Sequence, residues 1–266
     1  DIMKFCGDNL IYEKGLIDGV NLKILCNFDY KGINDKYVDY TKITWKGKKF
    51  DEIQLEKQLN KPKRATYVYE HWLEHKQSRT LAFCASIDHC EYMKKFFIEK
   101  GIKAVSVHSQ SETNRTLAIK MLNENTIDII FSVDLFNEGV DIPAIDTILM
   151  LRPTESKIIF IQQFGRGLRK AKAYGKKFVR VIDFIGNHKS FLEKPAALFN
   201  FDVDANSLGK FVQNYKNNKL NLPDESRVFY SPETIDFFTK LSLKIKKEEF
   251  VKVPAGDLTK TLLPQI

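Results

Sequence analysis

One group of residues has the types and spacing to handle a polyphosphate. In Gln162-Gln163-Phe164-Gly165-Arg166-Gly167-Leu168-Arg169, two arginines stand three residues apart. At helical spacing Arg166 and Arg169 share a face. Two close guanidinium groups repel each other and call for an anion between them. A planar guanidinium pairs bidentately with phosphate oxygens, so a polyphosphate is the natural partner. Upstream, Glu138-Gly139-Val140-Asp141-Ile142-Pro143 is framed by two apolar runs, Ile127–Val133 and Ile145–Leu151. Gly139 and Pro143 rule out a continuous helix there. The loop is expected near strand ends, where open α/β sheets bind ligands.

The elements that must position these groups follow from the pattern. Thr80–Ser86, Ala104–His108, Ile127–Val133, Ile145–Leu151 and Phe178–Phe184 are short, apolar and rich in β-branched residues, as buried parallel strands are. Helices are expected between them. One runs from about Asp88 to Lys100 and stops at Gly101. One starts at a Ser109-Gln110-Ser111-Glu112 capping box and carries Leu117, Ile119, Met121 and Leu122. Ile158, Ile159 and Ile161 are expected to anchor the arginine helix. Strands alternating with helices imply βαβ units and a parallel sheet. Before them the pattern predicts a short helix near residues 12–20, a strand over Leu22–Phe28, a hairpin over Ile43–Phe50 and a helix opening at Lys63-Arg64. After them, Ser231-Pro232-Glu233 starts a further helix carrying Ile235, Phe237, Phe238, Leu241 and Leu243.

Composition narrows the partners. The 266 residues suffice for a sizeable core, and no apolar run is long enough to span a bilayer, so no membrane partner is expected. The formal net charge of +8 favours an anionic partner, with nucleic acid the first choice. Cys6, Cys26, Cys84 and Cys90 form no C-x-x-C pair and read as reduced thiols of a cytoplasmic protein. His71 and His75 are spaced to share a helix face, but position 72 is Trp, so no H-E-x-x-H site exists. With no third ligand evident, the pair reads as solvated histidines, and no metal site is expected.

The two motifs together resemble the second motor domain of superfamily 2 DEAD/DEAH-type helicases. Glu138 to Pro143 looks like helicase motif V. Gln162 to Arg169 matches the motif VI pattern Q-x-x-G-R-x-x-R. More loosely, the flanks resemble those of bacterial motors related to restriction and excision repair. The expected fold is α/β, with a RecA-like three-layer parallel sheet and helices on both faces at residues 78–190. Residues 1–77 are expected to be an irregular connecting segment with a hairpin and lead-in helix, and residues 191–266 a mostly helical C-terminal extension.

The resemblance implies roles. Arg166 and Arg169 would be arginine fingers reaching the β- and γ-phosphates of ATP, and Gln162 would lie near the γ-phosphate or the attacking water. Gly139 and Asp141 would join the arginines at the nucleotide. Ser86, at the motif IV position, Ser109 and Ser132 would contact the nucleic-acid backbone. Asp134 would orient the loop, and Lys170, Lys172, Lys176, Lys177 and Arg180 would either line the nucleic-acid track or form a solvated turn. The sequence holds no P-loop and no D-E-A-D or D-E-A-H box. ATP and Mg²⁺ would therefore be held by a first motor domain, expected before Asp1, and this chain alone would be inactive. DNA is favoured over RNA. The alternatives are a non-hydrolysing nucleic-acid or protein binding module derived from a helicase half, and an unrelated nucleotide-binding domain. The fingers argue against the first, the missing phosphate loop against the second.

Overall fold

The computed structural model describes residues 15–47, 49–134, 142–153 and 156–251. Its centre is a seven-stranded, all-parallel sheet. In chain order the strands are β1 (Asn27–Asn34), β4 (Thr80–Phe83), β5 (Ala104–Val107), β6 (Ile129–Ser132), β7 (Thr147–Met150), β8 (Phe178–Ile185) and β9 (Arg227–Tyr230). Across the sheet they lie in the order β5-β6-β4-β7-β8-β1-β9. A separate antiparallel ribbon pairs β2 (Trp45–Lys46) with β3 (Lys49–Phe50), the expected hairpin.

The central strands are buried at every position. Thr80–Phe83, Ile129–Ser132 and Thr147–Met150 show no exposed residue. Such continuous burial requires helices on both faces, and alternate residues enter two separate cores. Leu81, Ile130, Ile148 and Val181 join Phe160 and Phe164 of α6 (Lys157–Gly167) on one face. Ala82, Ile129, Phe131, Leu149 and Phe184 join Val68 and Trp72 of α3 (Pro62–His75) and Met93 and Phe97 of α4 (Ile87–Glu99) on the other.

Both flanks contribute to this sheet, which extends beyond residues 78–190. β1 comes from the first 77 residues and pairs with β8 over eight positions, Asn27↔Phe178 to Asn34↔Ile185. β9 comes from the tail and closes the edge on β1. The strand expected at Leu22–Phe28 is displaced. Leu22 and Ile24 are exposed, and the strand starts at Asn27, where pairing with Phe178 begins. In the tail, α7 (Glu193–Phe199), α8 (Ala205–Lys216) and α9 (Pro232–Val251) supply the expected helical character.

Two helices differ from expectation. The capping box at Ser109–Glu112 does not form. Asn114 is the N-cap of α5 (Arg115–Asn123), accepting from Leu117 N at 2.9 Å, and Ser111 instead closes a turn on His108. The start moves because Asn is as good a cap as Ser and lies directly before the buried Ala118 and Leu122. On α6, Ile158 and Ile161 are exposed, and Phe160, Gln163, Phe164 and Gly167 face the sheet. Aromatic volume, not β-branching, selected the buried face.

Among the described residues, two ion pairs lie fully inside the protein. Arg64 of α3 meets Asp35 at 3.0 Å and also donates to the Leu151 carbonyl at the end of β7. Tyr40 donates to the same Asp35 at 2.9 Å. Lys194 of α7 pairs with Asp183 of β8, which also accepts from Tyr30 of β1. Removing one partner of a buried pair leaves a charge in low dielectric. Asp35→Ala should therefore lower unfolding free energy by about 3–5 kcal/mol. The double change Asp35→Ala with Arg64→Met should lose less, because no orphan cation remains. Urea unfolding of the three proteins checks this order.

Candidate functional site

The arginine helix presents two unlike faces. Phe160 and Phe164 meet β1 through edge contacts, Phe164 with Phe28 at 5.3 Å between ring centroids and Phe160 with Tyr30 at 6.4 Å. The opposite face carries Ile158, Ile161, Gln162 and Gly165, with Arg166 half-buried beside them. Ile158 is 68 % exposed and Ile161 38 %.

The two glycines of this stretch serve different purposes. A Cβ on Gly167 would stand 2.4 Å from Val179 Cγ2 and 3.0 Å from Ile148 Cγ1. Glycine there lets the last turn of α6 press on the sheet. A Cβ on Gly165 would meet nothing within 4 Å. The fold itself does not require glycine at 165. Arg166 is in the helix, but Arg169 is not. The helix ends at Gly167, Leu168 is its C-cap, and Arg169 is exposed on the chain that follows. The expectation of two arginines on one continuous helix is corrected to one in the last turn and one beyond the cap.

Lys176 joins this end of α6 to the close of motif V. It donates to the carbonyls of Gly167 at 2.6 Å, Arg169 at 2.9 Å and Pro143 at 3.2 Å. A cation here satisfies helix-end carbonyls and suits the negative end of the helix dipole. Burial lowers its pKa, opposed by Cys26 and Asp146. Sequence reading placed Lys176 in a basic run. The available signal was Gly175, whose left-handed backbone (φ +70°) turns the chain back toward the helix end. The rest of the run divides. Arg180 pairs with Asp29 at 3.2 Å, whereas Lys172 and Lys177 are exposed beside a cavity of about 450 Å³ that Lys23 and Glu225 also line.

The serines are placed unequally. Ser86 is the N-cap of α4, accepting from His89 N at 3.1 Å, and its hydroxyl donates to Glu56 of α2 (Glu52–Leu59) at 2.8 Å. Ser132 is fully buried and donates to the Ala82 carbonyl at 3.1 Å. It faces the sheet interior and not the surface. Ser109 is exposed. Asp134 pairs with Arg152 at 2.7 Å, tying the ends of β6 and β7 together. Gly139 and Asp141 lie outside the described residues.

Beside α4, Glu91 accepts from Ser106 and Lys94 and from His108 Nε2 at 2.9 Å. Burial would raise its pKa, but these hydrogen bonds outweigh it and bring it down to about 2. His71 and His75 are half-buried rather than solvated, and burial lowers both pKa values.

The glycine contrast can be measured. Gly167→Ala should destabilise by about 1–3 kcal/mol through overpacking. Gly165→Ala should be neutral or stabilise by up to about 1 kcal/mol, since alanine favours the helix and fills open space. Thermal unfolding of both variants checks it; equal losses would assign Gly165 a packing role as well.

Residues 61–171 match the family model described as "Helicase conserved C-terminal domain". A putative ATP-dependent helicase, IRC3, of Saccharomyces cerevisiae is 28% identical over 184 residues, covering 67% of this chain and 26% of its own length. The putative mitochondrial ATP-dependent helicase irc3 of Schizosaccharomyces pombe is 26% identical over 252 residues, covering 93% of this chain and 40% of its own. This chain thus spans about a quarter to two fifths of those relatives. Among solved structures, a fragment of a putative HsdR subunit of a type I restriction enzyme from Vibrio vulnificus YJ016 shares the fold. Its TM-score is 0.53 at 20% identity, over 68% of this chain and 36% of that one.

Proposed function

We propose that this chain, whose residues 61–171 match the helicase conserved C-terminal domain, is the second half of an ATP-driven nucleic-acid motor of superfamily 2. The observation that carries this reading is the outward face of α6. It sets Gln162 and Arg166 beside exposed Ile158 and Ile161 and a glycine that packing does not require. A first motor domain holding ATP and Mg²⁺ would cover this apolar face and bring its nucleotide against Gln162, Arg166 and Arg169. Gly139 and Asp141 would complete the nucleotide contacts.

Closure of that cleft excludes water, so a guanidinium delivered there stabilises the charge of the transferring phosphoryl group more than it stabilises bound ATP. Lys176 holds the Pro143, Gly167 and Arg169 backbones in one cluster, which keeps the second arginine near Pro143. The sequence holds no P-loop and no D-E-A-D or D-E-A-H box, so the chain by itself would not turn over ATP.

The test uses the parent protein containing both motor halves. Arg166→Ala should reduce nucleic-acid-stimulated turnover by at least roughly 10², against the 10³–10⁵ that fingers contribute in other nucleotide hydrolases. ATP affinity should change little, and Arg166→Lys should restore little, because an ammonium lacks the planar fork. Near-normal turnover in Arg166→Ala would remove that residue from the reaction.

Nucleic acid would be gripped through its backbone, by Ser109 and by exposed Lys172 and Lys177, with duplex DNA the favoured substrate. The buried Ser132 and the Glu56-bound Ser86 contribute less to this reading than their sequence positions imply. Backbone binding releases counterions. With about two phosphates neutralised by lysine, raising salt from about 50 to about 200 mM should weaken binding roughly 12-fold. Titration of labelled duplex DNA, single-stranded DNA and RNA at both salts checks the slope and the preference; salt-insensitive binding would contradict backbone tracking.

A further inference from the structure

On the sheet face opposite α6, the last turn of α3 carries His71, Glu74 and His75 at positions i, i+3 and i+4. All three therefore project from one side of the helix. One donor atom from each lies within 4.8 Å of the others. His75 Nε2 stands 3.7 Å from Glu74 Oε1. The two imidazoles are stacked, 28° apart in plane with centroids at 6.0 Å.

We propose that His71, Glu74 and His75 form a binding site for one divalent transition-metal ion of the zinc class. Two imidazoles and a carboxylate are the donor set that such ions take, leaving a position for water. Calcium and magnesium prefer all-oxygen shells and are not expected here. Tetrahedral zinc at about 2.0–2.2 Å from each donor sets donors about 3.3–3.5 Å apart. The convergence needed is at most little more than an ångström, shared between the His75 ring and the Glu74 side chain, which is 67% exposed.

The surroundings support this assignment. The His71 ring is fixed at its edges by Tyr67, at 4.4 Å, and Phe184, at 6.2 Å, so one ligand is already oriented. His71 Nδ1 is buried and has no hydrogen-bond partner. Buried polar atoms normally find one, and an imidazole without it lacks the contact that would otherwise fix its tautomer. Three cations lie near. Lys31 and Arg180 are each paired with Asp29, at 3.3 and 3.2 Å, and Lys36 sits over the Tyr67 ring at 4.6 Å. Glu74 supplies the local negative charge. An ion there would staple the C-terminal turns of α3, since all three donors belong to that helix. The inference is independent of the motor reading.

The test takes the full chain, stripped with EDTA and titrated with Zn²⁺ against a chromophoric chelator, then with Co²⁺ in the visible. One equivalent should bind. The Co²⁺ spectrum should show weak d–d bands without the intense near-ultraviolet band of a thiolate. Loss of groups that merely orient a metal ligand costs about 10–100-fold in affinity, so His71→Ala and His75→Ala should each weaken Zn²⁺ at least tenfold. Zn²⁺ should also raise the unfolding temperature of the wild type and not of His75→Ala. The fold of each variant can be checked by circular dichroism. Absence of saturable binding, a thiolate band, or affinity unchanged in His75→Ala would each overturn the proposal.

Discussion

Charge taken out of water organises this molecule. Asp35, Arg64, Asp183 and Lys194 are buried, and each of the two pairs they make bridges two different parts of the fold. Desolvating four charges is expensive, and well-packed apolar residues of the same size would often be at least as stable. What the pairs provide is a definite address. The guanidinium of Arg64 can be satisfied only where Asp35 and the Leu151 carbonyl meet, which seats α3 on the end of β7. Asp183 accepts from both Tyr30 and Lys194, which draws β1 and α7 onto β8. The flanks are thereby built into the sheet.

The parts of this arrangement legible in the sequence are those governed by local pattern. Thr80–Phe83, Ile129–Ser132 and Thr147–Met150 are read as strands because an apolar run with β-branched residues between breakers has few other outcomes. The parts not legible depend on distant partners. Asn27–Asn34 contains Asp29, Lys31, Gly32 and Asn34, a poor strand by propensity. It is a strand because Phe178–Ile185 lies beside it and Asp29 meets Lys31 and Arg180. On α6 the isoleucines suggested the wrong face, since nothing local shows that β1 offers Phe28 and Tyr30 to receive Phe160 and Phe164.

The candidate site divides in the same way. Gln162, Arg166 and Arg169 are legible because their residue types and spacing are specific. That Arg169 lies beyond the helix cap, that Gly167 is a packing requirement while Gly165 is not, and that Lys176 ties three carbonyls together are tertiary facts. Ser132 illustrates the converse. Its hydroxyl is where a family pattern suggests a phosphate contact, yet the strand's own geometry directs it to the Ala82 carbonyl.

The position of β1 between β8 and β9 bears on how the chain emerges during synthesis. Asn27 pairs with Phe178, 151 residues later (178 − 27), and Asp29 pairs with Arg227, 198 later (227 − 29). At about 5–20 residues per second, β1 leaves the ribosome roughly 10–30 s before its first neighbour exists. Throughout that interval Phe28, Tyr30 and Ile33 have no sheet to enter, and both edges of the strand are open. The βαβ units between β4 and β7 can assemble meanwhile, because their partners are close in sequence. The nascent chain thus carries an unpaired strand with buried-type residues through a long wait, the circumstance in which a holding chaperone is most useful.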